Sequence, residues 1–143
     1  MRAGQRFHNY RLLFTAIAAG ANAPASFVVE TDYDFYWIKA QFFAVTSAGV
    51  ALKDPQLTVL LQDGSTSQHL SNATVPVPAQ FGSGEIPFIL PAPHLVKGGA
   101  TFNATVYNVS AATIYTVYLV FSGLHVPVGT VLASAQRSAR MRR

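Results

Sequence analysis

Three carboxylates at alternate positions, Glu30, Asp32 and Asp34, are the first groups in this chain that could do chemistry. If the segment is extended, all three side chains point to one face, about 6.5–7 Å apart. Such a set could hold a hard cation such as Ca²⁺. It could also be a docking face for arginines of a neighbouring subunit, or a plain solvated edge. We expect no metal and no cofactor, and keep the acidic docking face as the candidate site.

Residues that could form a catalytic centre show no telling pattern. The four histidines have no i, i+2 or i, i+4 spacing to one another: His8, His69, His94 and His125. The sequence contains no G-x-S-x-G nucleophile turn and no glycine motif that would bind phosphate. It has no cysteine, which excludes disulfides, thiol nucleophiles and zinc–thiolate sites. The sequence therefore predicts a protein that is not an enzyme.

Basic residues are concentrated at the two ends of the chain. Seven of the ten lie in the tails: Arg2, Arg6, Arg11, Arg137, Arg140, Arg142 and Arg143. Between residues 12 and 136, three lysines stand against six acidic residues, so this part has a formal charge of −3 and the tails carry +7. The tails could neutralise the phosphates of packaged nucleic acid. They could instead contact acidic neighbouring subunits, which we favour, so we predict these arginines to bind partners.

Composition also points to association. Only 11% of the residues are charged, against about 25% in ordinary soluble domains. A monomer with so few charges would be poorly protected from self-association, so we expect partner subunits, including further copies of this chain, to cover much of the surface. No apolar run reaches the ~18 residues of a membrane span, and we expect no membrane contact.

An aromatic run lies between Tyr33 and Phe43. A nucleic-acid stacking platform would need interleaved basic residues, and Lys39 alone is nearby. Packing in a core or an interface is therefore the better interpretation. We predict six core anchors: Phe35, Trp37, Phe43, Phe102, Leu119 and Phe121.

The elements that carry these residues are predicted to be strands, because apolar residues alternate and turn signals recur at short spacing. Seven strands are predicted, at residues 10–18, 27–30, 35–46, 57–62, 86–90, 101–107 and 115–125. Residues 65–83 are polar, contain two prolines and are predicted to be a long surface loop. The result is one antiparallel, jelly-roll-like β-sandwich over residues 10–126. Residues 1–9 and 127–143 are predicted to be basic arms.

Between residues 7 and 126 the chain carries seven short segments: FHNY at 7–10, AAGA at 18–21, TDYDF at 31–35, PFILPAP at 87–93, GG at 98–99, NVS at 108–110 and YTVYLVFSG at 115–123. Together these segments resemble small β-sandwich virion proteins of tailed bacteriophages. The resemblance implies a capsid decoration (cement) protein, located in the virion, whose partners are the major capsid protein or other virion subunits.

Two other functions remain open at this point. Within the virion, the chain could be a head–tail connector, collar or tail subunit. In a different class, it could be a carbohydrate-binding module that exposes Trp37 or Tyr36.

Overall fold

The computed structural model describes residues 5–83 and 86–128. The regular secondary structure of this part is almost entirely β, with ten strands and one helical turn. In chain order the elements are β1 (Arg6–Ile17), β2 (Asn22–Val28), β3 (Tyr33–Thr46), β4 (Ala51–Leu52), β5 (Leu57–Asp63), β6 (Gln68–His69), β7 (Val75–Pro76), α1 (Val77–Gln80), β8 (Phe88–Val96), β9 (Thr101–Asn108) and β10 (Tyr115–Pro127).

The strands form two antiparallel sheets. The first sheet has the order β1-β10-β3-β4, and β8 also pairs with β3. The second sheet has the order β2-β9-β5-β6, and β7 also pairs with β5. The chain passes back and forth between the sheets, since β1, β3, β8 and β10 belong to the first and β2, β5 and β9 to the second. The predicted all-β, antiparallel class is confirmed.

One hydrophobic core fills the space between the sheets. Alternation along β9 and along β10 as far as Phe121 buries every second side chain, as period-two geometry requires. Five of the six predicted core anchors are buried there: Phe35, Trp37, Phe102, Leu119 and Phe121. The Trp37 indole lies 5.1 Å from the Phe121 ring, centroid to centroid, and its Nε1–H donates to the Lys39 carbonyl.

The prediction that Phe43 is the sixth core anchor is wrong. A β-bulge in β3 changes which alternate side chains of the strand point into the core. Lys39 pairs with Ser122 and Trp37 pairs with Gly123, which leaves Ile38 as an extra residue in β3. After the bulge Phe42 points into the core and Phe43 points out, 53% exposed. The partner at the bulge has to be glycine, because a Cβ on Gly123 would overlap the Tyr36 carbonyl.

The predicted surface loop at residues 65–83 is wrong in one part. Its last third contains α1, and both Val77 and Phe81 are fully buried. These residues are four positions apart, so a single helical turn brings both side chains to one face. The Phe81 ring meets the Phe121 ring edge-on at 5.4 Å. The segment therefore closes one part of the core.

Strand ends differ from prediction where prolines lie on sheet edges. The strand predicted at residues 86–90 starts at Phe88 and continues to Val96 through Pro91 and Pro93. Likewise β2 starts at Asn22 and includes Pro24. Prolines are tolerated at such edges because no ladder bond is needed from their nitrogen. The arm predicted at residues 1–9 is also too long, since β1 begins at Arg6 and pairs with β10 from there.

The bulge at Ile38 gives an expectation for two neighbouring phenylalanines. Phe42→Ala should lower the free energy of unfolding by about 3–5 kcal/mol, because it leaves a cavity in the core. Phe43→Ala should cost less than about 1 kcal/mol. Urea unfolding of the two variants measures both values. A larger loss for Phe43→Ala than for Phe42→Ala would contradict the register.

Candidate interaction surface

The outer face of the first sheet carries rows of apolar side chains that run across its strands. In the first row Phe7 pairs with Leu124, Leu124 with Tyr36 and Tyr36 with Leu95. Phe7 is 63% exposed. Cross-strand neighbours of this kind lie within contact distance, so this row is a continuous apolar strip over four strands.

A second row crosses the other half of the same face. Leu13 pairs with Tyr118 and Tyr118 with Phe43, and the last two rings have centroids 6.1 Å apart. Val120 lies between the rows, and the Arg11 guanidinium sits 5.7 Å from the centre of the Tyr118 ring. We call this surface the apolar face, with the residues Phe7, Leu13, Tyr36, Phe43, Leu95, Tyr118, Val120 and Leu124.

The outer face of the second sheet has a different character. Most of its positions hold small polar residues: Asn22, Ser26, Thr58, Gln62, Thr101, Asn103 and Thr105. We call this the polar face. Of its apolar members, Val28 is the most exposed, at 58%. Polar side chains also lie between the two apolar rows of the first sheet, at Asn9, Arg11, Lys39 and Gln41. The first sheet nevertheless carries more large apolar side chains on its outer face than the second sheet does, a pattern that marks an interaction surface.

The predicted acidic docking face does not form as expected. The segment between β2 and β3 is a turn, in which the Tyr33 N–H donates to the Glu30 carbonyl at 3.1 Å. An extended segment was required to align the three carboxylates, so this prediction is wrong. Glu30 pairs with Arg6 of the same chain at 3.5 Å, and Asp34 accepts a 2.9 Å hydrogen bond from the Gly98 N–H.

Two of the seven predicted partner-binding arginines lie within the sheet rather than in an arm. Arg6 and Arg11 are both part of β1. Besides its ion pair with Glu30, Arg6 lies over the Tyr33 ring at 4.8 Å. The remaining five fall outside the described residues: Arg2, Arg137, Arg140, Arg142 and Arg143.

A buried carboxylate joins the two sheets. Asp63, the last residue of β5, accepts hydrogen bonds from the Ser65 N–H at 2.9 Å and from the Ser65 hydroxyl at 2.6 Å. His94 Nε2, on β8 of the first sheet, lies 2.8 Å from the other carboxylate oxygen. Ser65 thus bonds to the aspartate and not to the imidazole, so this set lacks the geometry of an activated nucleophile. The Asp63–His94 pair is a polar contact that joins the two sheets.

These contacts set the ionisation of Asp63. Burial pushes the pKa of its carboxyl up, but the bonds from Ser65 and His94 outweigh burial and leave the pKa below the usual 3.8. The carboxylate therefore stabilises the fold fully above that value, and its contribution is lost as the pH falls below it.

A second polar cluster lies between β1 and β10. His125 is fully buried, and a 2.7 Å hydrogen bond joins its Nε2 to the Tyr10 hydroxyl. The His8 ring stacks on it at 4.0 Å, and the Tyr33 ring stacks at 5.3 Å. Its Nδ1 has no hydrogen-bond partner among the described residues. Burial lowers the pKa of His125 below its usual 6.5, and the adjacent His8 lowers it further.

The sequence did not suggest either cluster, because the partners are far apart along the chain. Asp63 and His94 are separated by 31 positions and Tyr10 and His125 by 115. Of the four histidines, His69 alone is fully on the surface, in β6. Within residues 5–83 and 86–128, no group of three or more histidine and acidic side chains is placed to hold a metal ion.

The carbohydrate-binding hypothesis from the sequence can be compared with these positions. A carbohydrate-binding module would need an accessible aromatic platform, but Trp37 is buried, with only 2% of its surface exposed. Tyr36 lies half-buried in the first row of the apolar face. In the described part of the chain, no helix has the length and hydropathy needed to cross a membrane.

Comparison with known proteins adds no identity. No protein-family model and no curated protein matches this chain. The likeness to phage virion proteins therefore rests on the segments quoted above, and the function has to be argued from the surface itself.

The buried imidazole predicts a pH dependence of stability. Because the fold favours neutral His125, the unfolded chain binds a proton more readily, and stability should fall as the pH drops below about 6.5. Melting temperatures between pH 8 and pH 5 measure this loss. His125→Phe should flatten the profile in this range, even if its stability is lower throughout.

The matched control is the surface change His69→Gln, which should leave the profile unaltered. An unchanged pH slope in His125→Phe would contradict the assignment.

The charged and titratable groups around the His125 ring are Arg6, His8 and Tyr10 on β1, Glu30 before β3 and Tyr33 on β3.

Proposed function

We propose that this protein is a non-enzymatic structural subunit of a tailed-phage virion, a capsid decoration protein that bridges major capsid proteins. The observation that supports this most is the contrast between the apolar and the polar face. A molecule with one such surface is suited to lie on a larger assembly, with the apolar face against it and the polar face towards water.

The adhesive contribution comes from the exposed apolar side chains. Phe7, Leu13 and Phe43 are 63%, 41% and 53% exposed. Each buried Å² of apolar surface contributes about 25 cal/mol. A standard contact covers about 800 Å² on each partner. Repetition over a shell multiplies the effect of each contact.

The fold assignment can be taken one step further in the same proposal. The order β1-β10-β3-β8 facing β2-β9-β5 supports a jelly roll, because the chain crosses between the sheets in the manner of interlocked Greek keys. Jelly rolls are common among virion proteins. This shared architecture is analogy and adds weight to the site argument without replacing it.

The basic tails are the second part of the attachment. Five arginines of the tails lie outside the described residues, and their charge is opposite to that of the body between residues 12 and 136. We propose that they reach acidic surfaces on adjacent virion subunits. Charge pairs of this kind set register and association rate more than affinity.

The apolar face is tested with two equally exposed positions on opposite sheets. Phe43→Glu places a carboxylate in the apolar face, and Val28→Glu places one in the polar face. Both variants should fold, because neither side chain is in the core. Binding to phage particles assembled without this protein should fall at least tenfold for Phe43→Glu and change little for Val28→Glu. Equal binding by both variants would reject the apolar face as the contact.

Imaging of the decorated particles completes this experiment. Density for the protein over the capsid faces supports the decoration role. Density confined to the portal vertex or the tail would replace it with the connector or tail alternative.

The basic C-terminal tail is tested with two variants. One deletes the tail, and the other keeps its length but removes its charge. Deletion of residues 134–143 and the four changes of Arg137, Arg140, Arg142 and Arg143 to Gln should weaken particle binding to a similar degree. Melting temperatures should stay close to that of the intact protein. Binding of the intact protein should weaken as salt rises, since exposed ion pairs are screened over ~8–10 Å. Full binding by the glutamine variant would contradict a role for the arginines.

A further inference from the structure

The edges of the two sheets are not equally protected against pairing with another strand. The edge strands β2, β7 and β8 carry prolines: Pro24, Pro76, Pro91 and Pro93. The edge strands β4 and β6 are two residues long. Prolines and short length are the usual means of blocking edge-to-edge association. Among the described edges, β1 alone has neither, with 12 residues and no proline.

The pairing of β1 with β10 is regular from Arg6 to Phe14 and irregular between Phe14 and Ile17, so the regular part is the candidate template. Within the described residues β1 pairs with β10 on one side only. The two arginines of β1 do not block strand pairing on the free side, because each side chain contacts residues of its own molecule. Arg6 contacts Glu30 and the Tyr33 ring, and Arg11 lies over the Tyr118 ring. A long, unblocked strand of this kind is a template for adding a strand.

The side chains of β1 are self-complementary about Tyr10. On the outer face, the apolar residues Phe7 and Leu13 are each three positions from Tyr10. The polar residues Asn9 and Arg11 are each one position from it. An antiparallel pair of identical strands related by a two-fold axis at Tyr10 therefore sets Phe7 opposite Leu13 and Asn9 opposite Arg11. Identical patches related by a two-fold axis are the commonest basis of homodimers.

We propose that a second copy of this chain pairs its β1 antiparallel with this β1, in the register that places Tyr10 opposite Tyr10. A shift that set Arg11 opposite Arg11 would place like charges together, which destabilises a sheet. The chosen register also joins the two apolar faces. The row Leu13–Tyr118–Phe43 of one copy continues into the row Phe7–Leu124–Tyr36 of the other. The dimer does not depend on the proposed virion role.

The register is tested at Asn9, an exposed residue opposite Arg11 of the second copy. Asn9→Arg creates two like-charge pairs across the axis, and Asn9→Glu creates two opposite-charge pairs. Each pair changes the free energy by about 0.2–1 kcal/mol, so the two pairs together should raise or lower the dimer dissociation constant by about twofold to thirtyfold. Sedimentation equilibrium of the purified full chain measures it.

A rescue variant separates the register from a general effect on folding. The double change Asn9→Arg with Arg11→Asn exchanges the two partners and should restore the dissociation constant towards that of the unaltered protein. The proposal is overturned if the unaltered chain is a monomer at about 100 µM, because a specific dimer should be populated at that concentration. It is also overturned if Phe43→Glu abolishes the dimer while both Asn9 variants leave it unchanged.

A covalent test uses the absence of native cysteine in this chain. The double variant Phe7→Cys with Leu13→Cys should form disulfide-linked dimers on mild oxidation, whereas each single change should not. The two positions in one copy are about 20 Å apart along the strand, too far for an internal disulfide. Failure of the double variant to cross-link would reject the register. Particle binding is measured separately, so a failed dimer test and a failed decoration test are distinguishable.

Discussion

The extra residue Ile38 in β3 decides where the side chains on either side of it point. Before it, Phe35 and Trp37 face inward, and after it Phe42 does. In an uninterrupted strand the second half would be inverted, since a shift of one residue exchanges the two faces. Phe43 would then enter the core and the apolar face would lose its central ring. The bulge depends on Gly123 in β10, where the backbone of β3 comes too close for any side chain.

Polar groups inside the sandwich make directional hydrogen bonds in a core that is otherwise apolar. Asp63 of the second sheet is fully buried, and both of its carboxylate oxygens lie within hydrogen-bond distance of a partner, Ser65 or His94. His125 is less well satisfied, because its Nδ1 has no hydrogen-bond partner among the described residues. The Asp63–His94 contact joins the two sheets and favours one alignment of them, whereas apolar surfaces alone would tolerate small slips.

Local sequence predicted the features that local geometry controls. The alternation in residues 101–107 and 115–125 predicted β9 and β10 to within two residues at each end, and the buried positions of Phe102, Leu119 and Phe121 followed from it. The alignment of Glu30, Asp32 and Asp34 failed because the backbone turns there. The inward position of Phe43 failed because the bulge depends on a glycine 80 positions later in the chain.

Other features needed the assembled fold. The spacing of Val77 and Phe81 is a helical signal, but it is too short to outweigh Pro76 before the segment and Pro78 within it. The two histidine clusters join residues from different strands, and no spacing rule relates them. The apolar face combines residues of four strands whose order in the sheet is not their order in the chain, so it becomes visible only once β1, β10, β3 and β8 are side by side.

The contrast between the two outer faces also limits how much material can accumulate. A molecule attached through its apolar face would turn mainly threonines, asparagines and serines towards the medium, with Val28 as an exposed apolar exception. A second molecule would find little apolar surface there for its own apolar face to bind, so deposition would favour a single coat. The thickness of that coat would be that of one sandwich of two sheets.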